Sequence, residues 1–355
     1  MPLVAHSPLP SFMRLADEGE EILGLERAHQ QDIRDLHIGL LNMMPDAALA
    51  ATERQFLRLI GSCNRITQFY VHPFTVGGIE RGAEARAYID AYYEPFETIQ
   101  RDGLDALIIT GANISNPDFT REPFWEPLRE VVDWACDHVT TTLFACLAAH
   151  ATLRMRYGIV RRRLPDKVWG VYPHRVVARS HPLVRNVNTR FDVPHSRWNE
   201  VSRDQLDDAG LITLVESAEV GPHLAVSGDG FRLVFFQGHP EYDTDSLLKE
   251  YKREVMRFID GSREDYPPLL DHYFNEAAEA LLYEYRTHVL ANRAHGVPVP
   301  PFPEAEVRAQ LDNTWADSAK AVFNNWLGLM YQITHADRRL PFMDGVDPAD
   351  PLRGL

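Results

Sequence analysis

The chain has 355 residues, with 36 Lys and Arg against 51 Asp and Glu and a formal charge of −15. Hydrophobic residues make up 45% and charged residues 25%, which excludes disordered and collagen-like chains, and the acidic balance argues against non-specific nucleic-acid binding, which needs a positive field. Three cysteines, Cys63, Cys136 and Cys146, make no disulfide framework at this length and fit a reducing compartment.

The N-terminus, Met1-Pro2-Leu3-Val4-Ala5-His6-Ser7-Pro8, has no basic region ahead of an apolar run and is not a secretory signal. Residues 1–34 read as an arm with one helix. Leu36 to Asn42 is a short apolar run ending at Met44-Pro45, a buried strand leaving into a turn. Leu49 to Leu59 has helical spacing, Ile66 to Val71 and Leu104 to Thr110 read as strands, and Trp125 to His138 is helical. Thr140 to Ala145 is a strand that runs directly into a helix over Leu147 to Tyr157, capped by Gly158. Further strands are expected at Val168–Val177, Leu211–Val215, His223–Val226 and Arg232–Phe236, the later ones antiparallel, followed by a helix from Thr244 to Phe258. From Pro267 the tail reads as helical, interrupted at Gly296-Val297-Pro298-Val299-Pro300-Pro301.

Strands alternating with helices in this way predict an α/β protein with a mostly parallel sheet covered on both faces. The expected division is an arm (1–34), an α/β domain (35–262) and a helical C-terminal extension (263–355) packed on that domain. No stretch approaches the roughly 20 apolar residues of a membrane span, and a cytoplasmic protein without a membrane or nucleic-acid partner is expected.

Two segments carry chemistry. In Thr142-Leu143-Phe144-Ala145-Cys146-Leu147-Ala148-Ala149 a cysteine sits where a strand meets a helix, the geometry of a nucleophile elbow. A thiol at a helix N-terminus is more reactive than one in a core, and small neighbours permit the sharp turn. Elbow geometry would place oxyanion-hole donors at the Leu147 N–H and in the Gly111-Ala112 loop. The bland alternative is that Cys146 is a small buried hydrophobe. In Gln237-Gly238-His239-Pro240-Glu241 a strand ends at a glycine and presents His239, with Glu241 on the same face of an extended segment, a base and its orienter. His150, one helical turn after Cys146, is the rival base, but it has no carboxylate partner in sequence; His195 reads as structural. Arg154, Arg156, Arg161, Arg162 and Arg163 form a basic cluster that either holds phosphates or is a solvated face. No metal signature and no phosphate-cradling glycine loop is present.

Several spaced motifs resemble the homoserine O-succinyltransferase family. They are Leu40-Leu41-Asn42-Met43-Met44-Pro45, Glu53-Arg54-Gln55-Phe56-Leu57-Arg58-Leu59, Ile108-Ile109-Thr110-Gly111-Ala112, Thr142 to Cys146, Gly170-Val171-Tyr172, Pro194-His195-Ser196-Arg197, Gly238 to Asp243, and Asn324 to Thr334. The resemblance implies a flavodoxin-like fold of the class I glutamine amidotransferase type and acylation of the homoserine hydroxyl from an acyl-CoA, in methionine biosynthesis. It places the nucleophile on Cys146, the base on His239 and the orienting carboxylate on Glu241. Amino-acid-binding residues fall on Lys167, Ser196 and Arg253, and the acyl-specificity position on Ser115. A lysine suits a monodentate contact to a carboxylate, and an arginine grips one bidentately. Ser115 stands where succinyl-transferring members resemble Gly and acetyl-transferring ones Glu; its small size favours succinyl-CoA as co-substrate, with no bound cofactor. The stretch from Leu269 to Pro301 matches no part of the family that the motifs reach. Acetyl-CoA as donor, serine as acceptor, and a glutaminase on the same triad are the alternative readings, and a homodimer is compatible with all of them.

Overall fold

A computed structural model describes residues 3–63, 67–295 and 297–355. Met1, Pro2, Ile66 and Gly296, which figure in the N-terminal, second-strand and linker expectations, lie outside the described residues. The strands are β1 (Leu3–Ala5), β2 (Ile22–Gly24), β3 (Asp35–Leu41), β4 (Gln68–Phe74), β5 (Ala106–Ile109) and β6 (Thr141–Ala145). They continue with β7 (Arg162–Val176), β8 (Arg190–Glu200), β9 (Ile212–Ser217), β10 (Gly221–Val226) and β11 (Leu233–Phe236). Together they form one sheet in the order β2-β1-β4-β3-β5-β6-β11-β10-β9-β7-β8.

The segment β4-β3-β5-β6-β11 is parallel throughout. Counted along the chain its order is second-first-third-fourth-fifth, the flavodoxin order, which places a ligand crevice outside the carboxyl ends of the strands where the order reverses. Gly111, Cys146 and His239 follow β5, β6 and β11 at that end. The five strands are apolar on both sides because both sides are covered. Leu107, Ile109, Phe144 and Phe235 pack under the Trp125–His138 and Leu147–Tyr157 helices. Their neighbours Ile108, Leu143, Val234 and Phe236 pack under the Asp46–Gly61 and Ala316–Ile333 helices. That alternation is the two-residue period of a strand.

Beyond β11 the sheet is antiparallel. The expected strands and helices are present with shifted bounds, helices at Ala83–Tyr92, Phe96–Asp102 and Arg203–Asp208 lie where none was expected, and three further differences concern the sheet and the tail. Residues 1–34 are not an arm: β1 and β2 extend the parallel sheet, with Leu3 opposite both Ile22 and Phe69. Strand β8 has no expected counterpart, because Pro194 and the charges of Arg190, Asp192 and Arg197 mask its pattern; at the outer edge of the sheet a proline costs no ladder bond. The tail is only partly helical. Helices span Glu276–His295, Glu304–Arg308 and Ala316–Ile333, while 334–355 forms turns.

The tail helices close a separate apolar cluster. Leu282, Tyr285 and Val289 pack with Trp169 and Val171 of β7 and with Leu248, Tyr251 and Val255 of the Ser246–Ile259 helix. This cluster holds β7 against the helix that follows His239, and so supports one wall of the crevice.

Candidate active site

Cys146 has φ 51° and ψ −109°, a conformation that L-residues with a Cβ seldom adopt and that persists only where the surroundings impose it. Two neighbours impose it. The Cys146 N–H donates to the Phe236 carbonyl at 2.8 Å, and Leu147 begins a helix immediately. The side chain is partly exposed, unlike Cys63, whose thiol is buried, donates to the Leu59 carbonyl and is pushed up to about 12 by burial. Cys146 is therefore no core filler. Gly111, after β5, closes the other side: a Cβ there would lie 3.7 Å from the Cys146 Cβ and 3.8 Å from the Leu147 nitrogen.

Strand β11 delivers His239 to the same place. Its Nδ1 is 2.8 Å from Glu241 Oε1, and both side chains are buried. Burial disfavours the charged ring, but Glu241 and the Cys146 sulfur, by charge and hydrogen bonding, outweigh it and raise its proton affinity well above the ordinary histidine value. The neighbouring Gly238 is sterically required. A Cβ on it would lie 2.7 Å from Val193 and 2.8 Å from the His195 ring, and its absence lets the His239 N–H reach the Pro194 carbonyl at 2.8 Å. Tyr242 stacks on the His239 ring at 4.3 Å.

Tyr242 leads to Glu250, a residue whose sequence context announces no role. Its hydroxyl donates to Glu250 Oε1 at 2.8 Å, while Glu250 Oε2 accepts from Ser196 Oγ at 2.6 Å, Trp169 Nε1 at 3.1 Å and Lys167 Nζ at 3.4 Å. Burial alone would favour the neutral Glu250, but Lys167, Ser196 and Tyr242 together hold its carboxyl below the ordinary range. Lys167 also lies over the Trp169 ring at 4.0 Å. Lys167 and Ser196, far apart in sequence, thus meet on one carboxylate. Arg253 does not join them: it is exposed one helical turn beyond Glu250, with Nε 3.4 Å from Glu254. The readable signal for Glu250 was its place three residues before Arg253 on the helix after the histidine.

A cleft of about 780 Å³ opens over Cys146, lined by Ala112 to Pro117, Leu147, His150, Arg161, Arg163 and Ser196 to Asn199. Ser115 reaches it with its backbone N–H 2.6 Å and its hydroxyl 3.2 Å from Glu122, which pin the loop. His150 is excluded as the base, because its Nε2 is 3.0 Å from Gln237 Oε1 and burial pulls it down to about 3. Cys146 and the hydrogen-bonded pair His239–Glu241, far apart in the chain, lie together beside this cleft.

The sequence profile described as "Homoserine O-succinyltransferase" matches residues 2–336. A homoserine O-succinyltransferase of Allochromatium vinosum is 63% identical over 352 residues, covering 99% of each chain. One from Thioalkalivibrio nitratireducens is 62% identical over 352 residues, again covering 99% of each. The chain belongs to the homoserine O-succinyltransferase family. It is an acyltransferase, and its relatives match along the whole length, so the Leu269–Pro301 stretch, expected to lie outside the family, is part of it. Among solved structures, a glutamine amidotransferase of Methylobacillus flagellatus shares 14% identity at a TM-score of 0.46, over 84% of this chain and 95% of that one.

Packed against Gly238 lies a chain of neutral histidines. Arg197 Nε donates to His195 Nδ1 at 3.2 Å, which leaves the His195 proton on Nε2, 3.2 Å from His174 Nε2; the His174 proton then sits on Nδ1, 2.8 Å from the Tyr172 carbonyl. His223 accepts from the Gly238 N–H at 3.3 Å. Burial pulls His174 down to about 4 from 6.5, and holds His195 and His223 well below that value. The unfolded chain binds protons at these rings that the folded one refuses. The contribution of His174 is complete above about pH 6.5 and is lost as the pH falls towards 4, on the order of 3 kcal/mol, and His195 and His223 act in the same direction. The urea midpoint should therefore drop steeply between pH 7 and pH 5; a level midpoint over that interval would contradict the neutral chain.

Proposed function

We propose that this protein is a homoserine O-succinyltransferase that works through a Cys146 thioester. Cys146 attacks the thioester carbonyl of succinyl-CoA, His239 takes the thiol proton and returns it to the departing CoA sulfur, and a succinyl thioester remains on the enzyme. The hydroxyl of homoserine then attacks that thioester while His239 takes its proton and passes it back to the Cys146 sulfur. The first step exchanges one thioester for another and is nearly isoenergetic; the second makes an ester of lower energy and draws the reaction forward. Base assistance of this kind supplies about 10²–10⁴-fold. Glu241 keeps the His239 tautomer with the free nitrogen towards the sulfur.

The observation that carries this reading is the left-handed Cys146 facing the Glu241-bound imidazole. Oxyanion-hole donors at the backbone of Leu147 and Ala112 are supported by the approach of the Gly111 loop to the helix start, and one such donor is worth about 3–4 kcal/mol. A zwitterionic amino acid needs an anion for its ammonium and cations for its carboxylate. Glu250 beside Lys167 and Ser196 offers both within one patch, with the exposed Arg253 one helical turn beyond Glu250 as a second cation for the carboxylate. No helix among the described residues is long and apolar enough to cross a membrane. A CoA thioester as donor supports a cytoplasmic reaction.

The test is a steady-state comparison of succinyl-CoA and acetyl-CoA with homoserine and serine. Succinyl-CoA with homoserine should give the highest kcat/KM, and Ser115→Glu should shift the donor ratio towards acetyl-CoA by on the order of 10-fold or more. An acetyl preference in the wild type, or glutamine hydrolysis without acyl transfer, refutes the assignment.

A further inference from the structure

The charges of the chain are sorted. Acidic residues outnumber basic ones 51 to 36, yet the cleft over Cys146 is lined by three arginines and by no Asp or Glu. Such a pocket in an acidic protein selects an anion. The three guanidiniums differ in what they have free. Arg197 is buried and its donors are engaged by His195 and by the Asn199 and Val220 carbonyls. Arg163 is exposed at the rim, stacked 4.3 Å over Trp198. Arg161 is half-buried, stacked 4.2 Å over Phe119, and has neither an ion pair nor a hydrogen bond among the described residues.

The rest of the basic cluster is accounted for elsewhere. Arg154 donates to the Gly158 carbonyl, Arg156 faces Asp133 and Arg162 pairs with Glu200. Arg161 alone combines partial burial, a rigid stacked orientation and five unclaimed donors in the cleft that holds the nucleophile. It lies near enough to Cys146 for the two charges to be felt: burial lowers the proton affinity of the guanidinium and the sulfur draws it back up.

The geometry points to Arg161 as the residue that binds the distal carboxylate of the succinyl group, and so sets the preference for a dicarboxylic over a simple acyl chain. This rests on the acyl-transfer function proposed above. A flat guanidinium held by an aromatic face receives a carboxylate through two parallel hydrogen bonds, and no acyl chain lacking the carboxylate can use them. Ser115, which lines the same cleft, leaves the space; Arg161 supplies the attraction that makes a longer, charged acyl group preferred in it.

The competing source of negative charge is the phosphate of CoA itself, which every CoA thioester carries. Arg161→Leu is therefore assayed with succinyl-CoA and with butyryl-CoA, which has the same chain length and no carboxylate, at saturating homoserine. With succinyl-CoA, kcat/KM should fall on the order of 100-fold, while butyryl-CoA changes less than about 3-fold and reports that the variant is folded. Arg161→Lys, which keeps the charge and loses the fork, should recover part of the succinyl rate and none of the butyryl rate should depend on it. Equal losses with both donors, or no loss with either, overturn the assignment of Arg161 and leave acyl transfer standing. A wild type that does not turn over succinyl-CoA overturns the proposed function and this assignment together.

Discussion

Cys146→Ala should lose at least about 10⁴-fold in succinyl transfer, because no other group in the crevice can form the acyl-enzyme on which the second half-reaction depends. His239 and the oxyanion donors remain in that variant, but they act on a nucleophile that is gone. Intact-mass measurement after brief incubation with succinyl-CoA, without homoserine, separates this from a folding defect. The wild type should carry one succinyl adduct and Cys146→Ala none, with unchanged circular dichroism. Cys136→Ser is the control: that thiol lies on the Trp125–His138 helix, away from the crevice, and burial raises its proton affinity. Its adduct should be normal. A succinyl adduct that survives in Cys146→Ala would remove the thioester mechanism.

Gly170→Ala should cost about 3–5 kcal/mol, the largest stability loss expected from adding a single methyl group to this chain. A Cβ at Gly170 would lie 2.1 Å from the Asp271 carbonyl oxygen, with the Asp271 nitrogen and carbonyl carbon at 2.7 and 2.8 Å. These are backbone atoms and cannot rotate away. Asp271 donates to the Trp169 carbonyl at 3.0 Å and accepts from the Val171 N–H at 2.9 Å, and its carboxylate accepts from the Tyr172 hydroxyl at 2.6 Å. Making room breaks the two backbone bonds that fasten the tail to β7. Trp169, displaced with them, loosens its hold on Glu250, so the homoserine KM should rise as well. Both are read from a denaturant titration and a homoserine saturation curve. An unchanged midpoint would show that Asp271 yields at no cost.

Much of the first half of the fold was legible because its strands are buried on both faces and its helices on one. Ile108, Leu143 and Phe235 sit in uninterrupted apolar runs, and Leu128, Val131 and Val132 recur at helical spacing, patterns that do not depend on the partner. β8 was not legible, since Pro194 and its charges belong to a sheet edge, and edge position is a property of the whole sheet. Residues 1–34 failed for a related reason. Leu3 to Ala5 is too short to declare itself, and is a strand only because β4 offers it a parallel edge.

In the site the same division holds. Cys146 at a strand–helix junction and His239 two residues before Glu241 are local arrangements, visible in a few consecutive residues. Glu250 as the meeting point of Lys167, Ser196, Trp169 and Tyr242 is not, since its partners come from β7, β8 and the loop after β11. Nor could the sequence distinguish Arg161 from Arg154, Arg156, Arg162 and Arg163: five arginines within ten positions differ only in which find carboxylates or carbonyls once the chain is folded.

By itself the amino-acid sequence determined the parallel core, the strand–helix junction that bears Cys146 and the pairing of His239 with Glu241, because periodicity and short-range stereochemistry act between near neighbours. The tertiary structure alone decided which charges are neutralised, which histidines stay uncharged and which arginine is left free in the cleft. Those outcomes depend on burial and on the distance between groups remote in the chain, quantities that exist only after the sheet has closed over its helices.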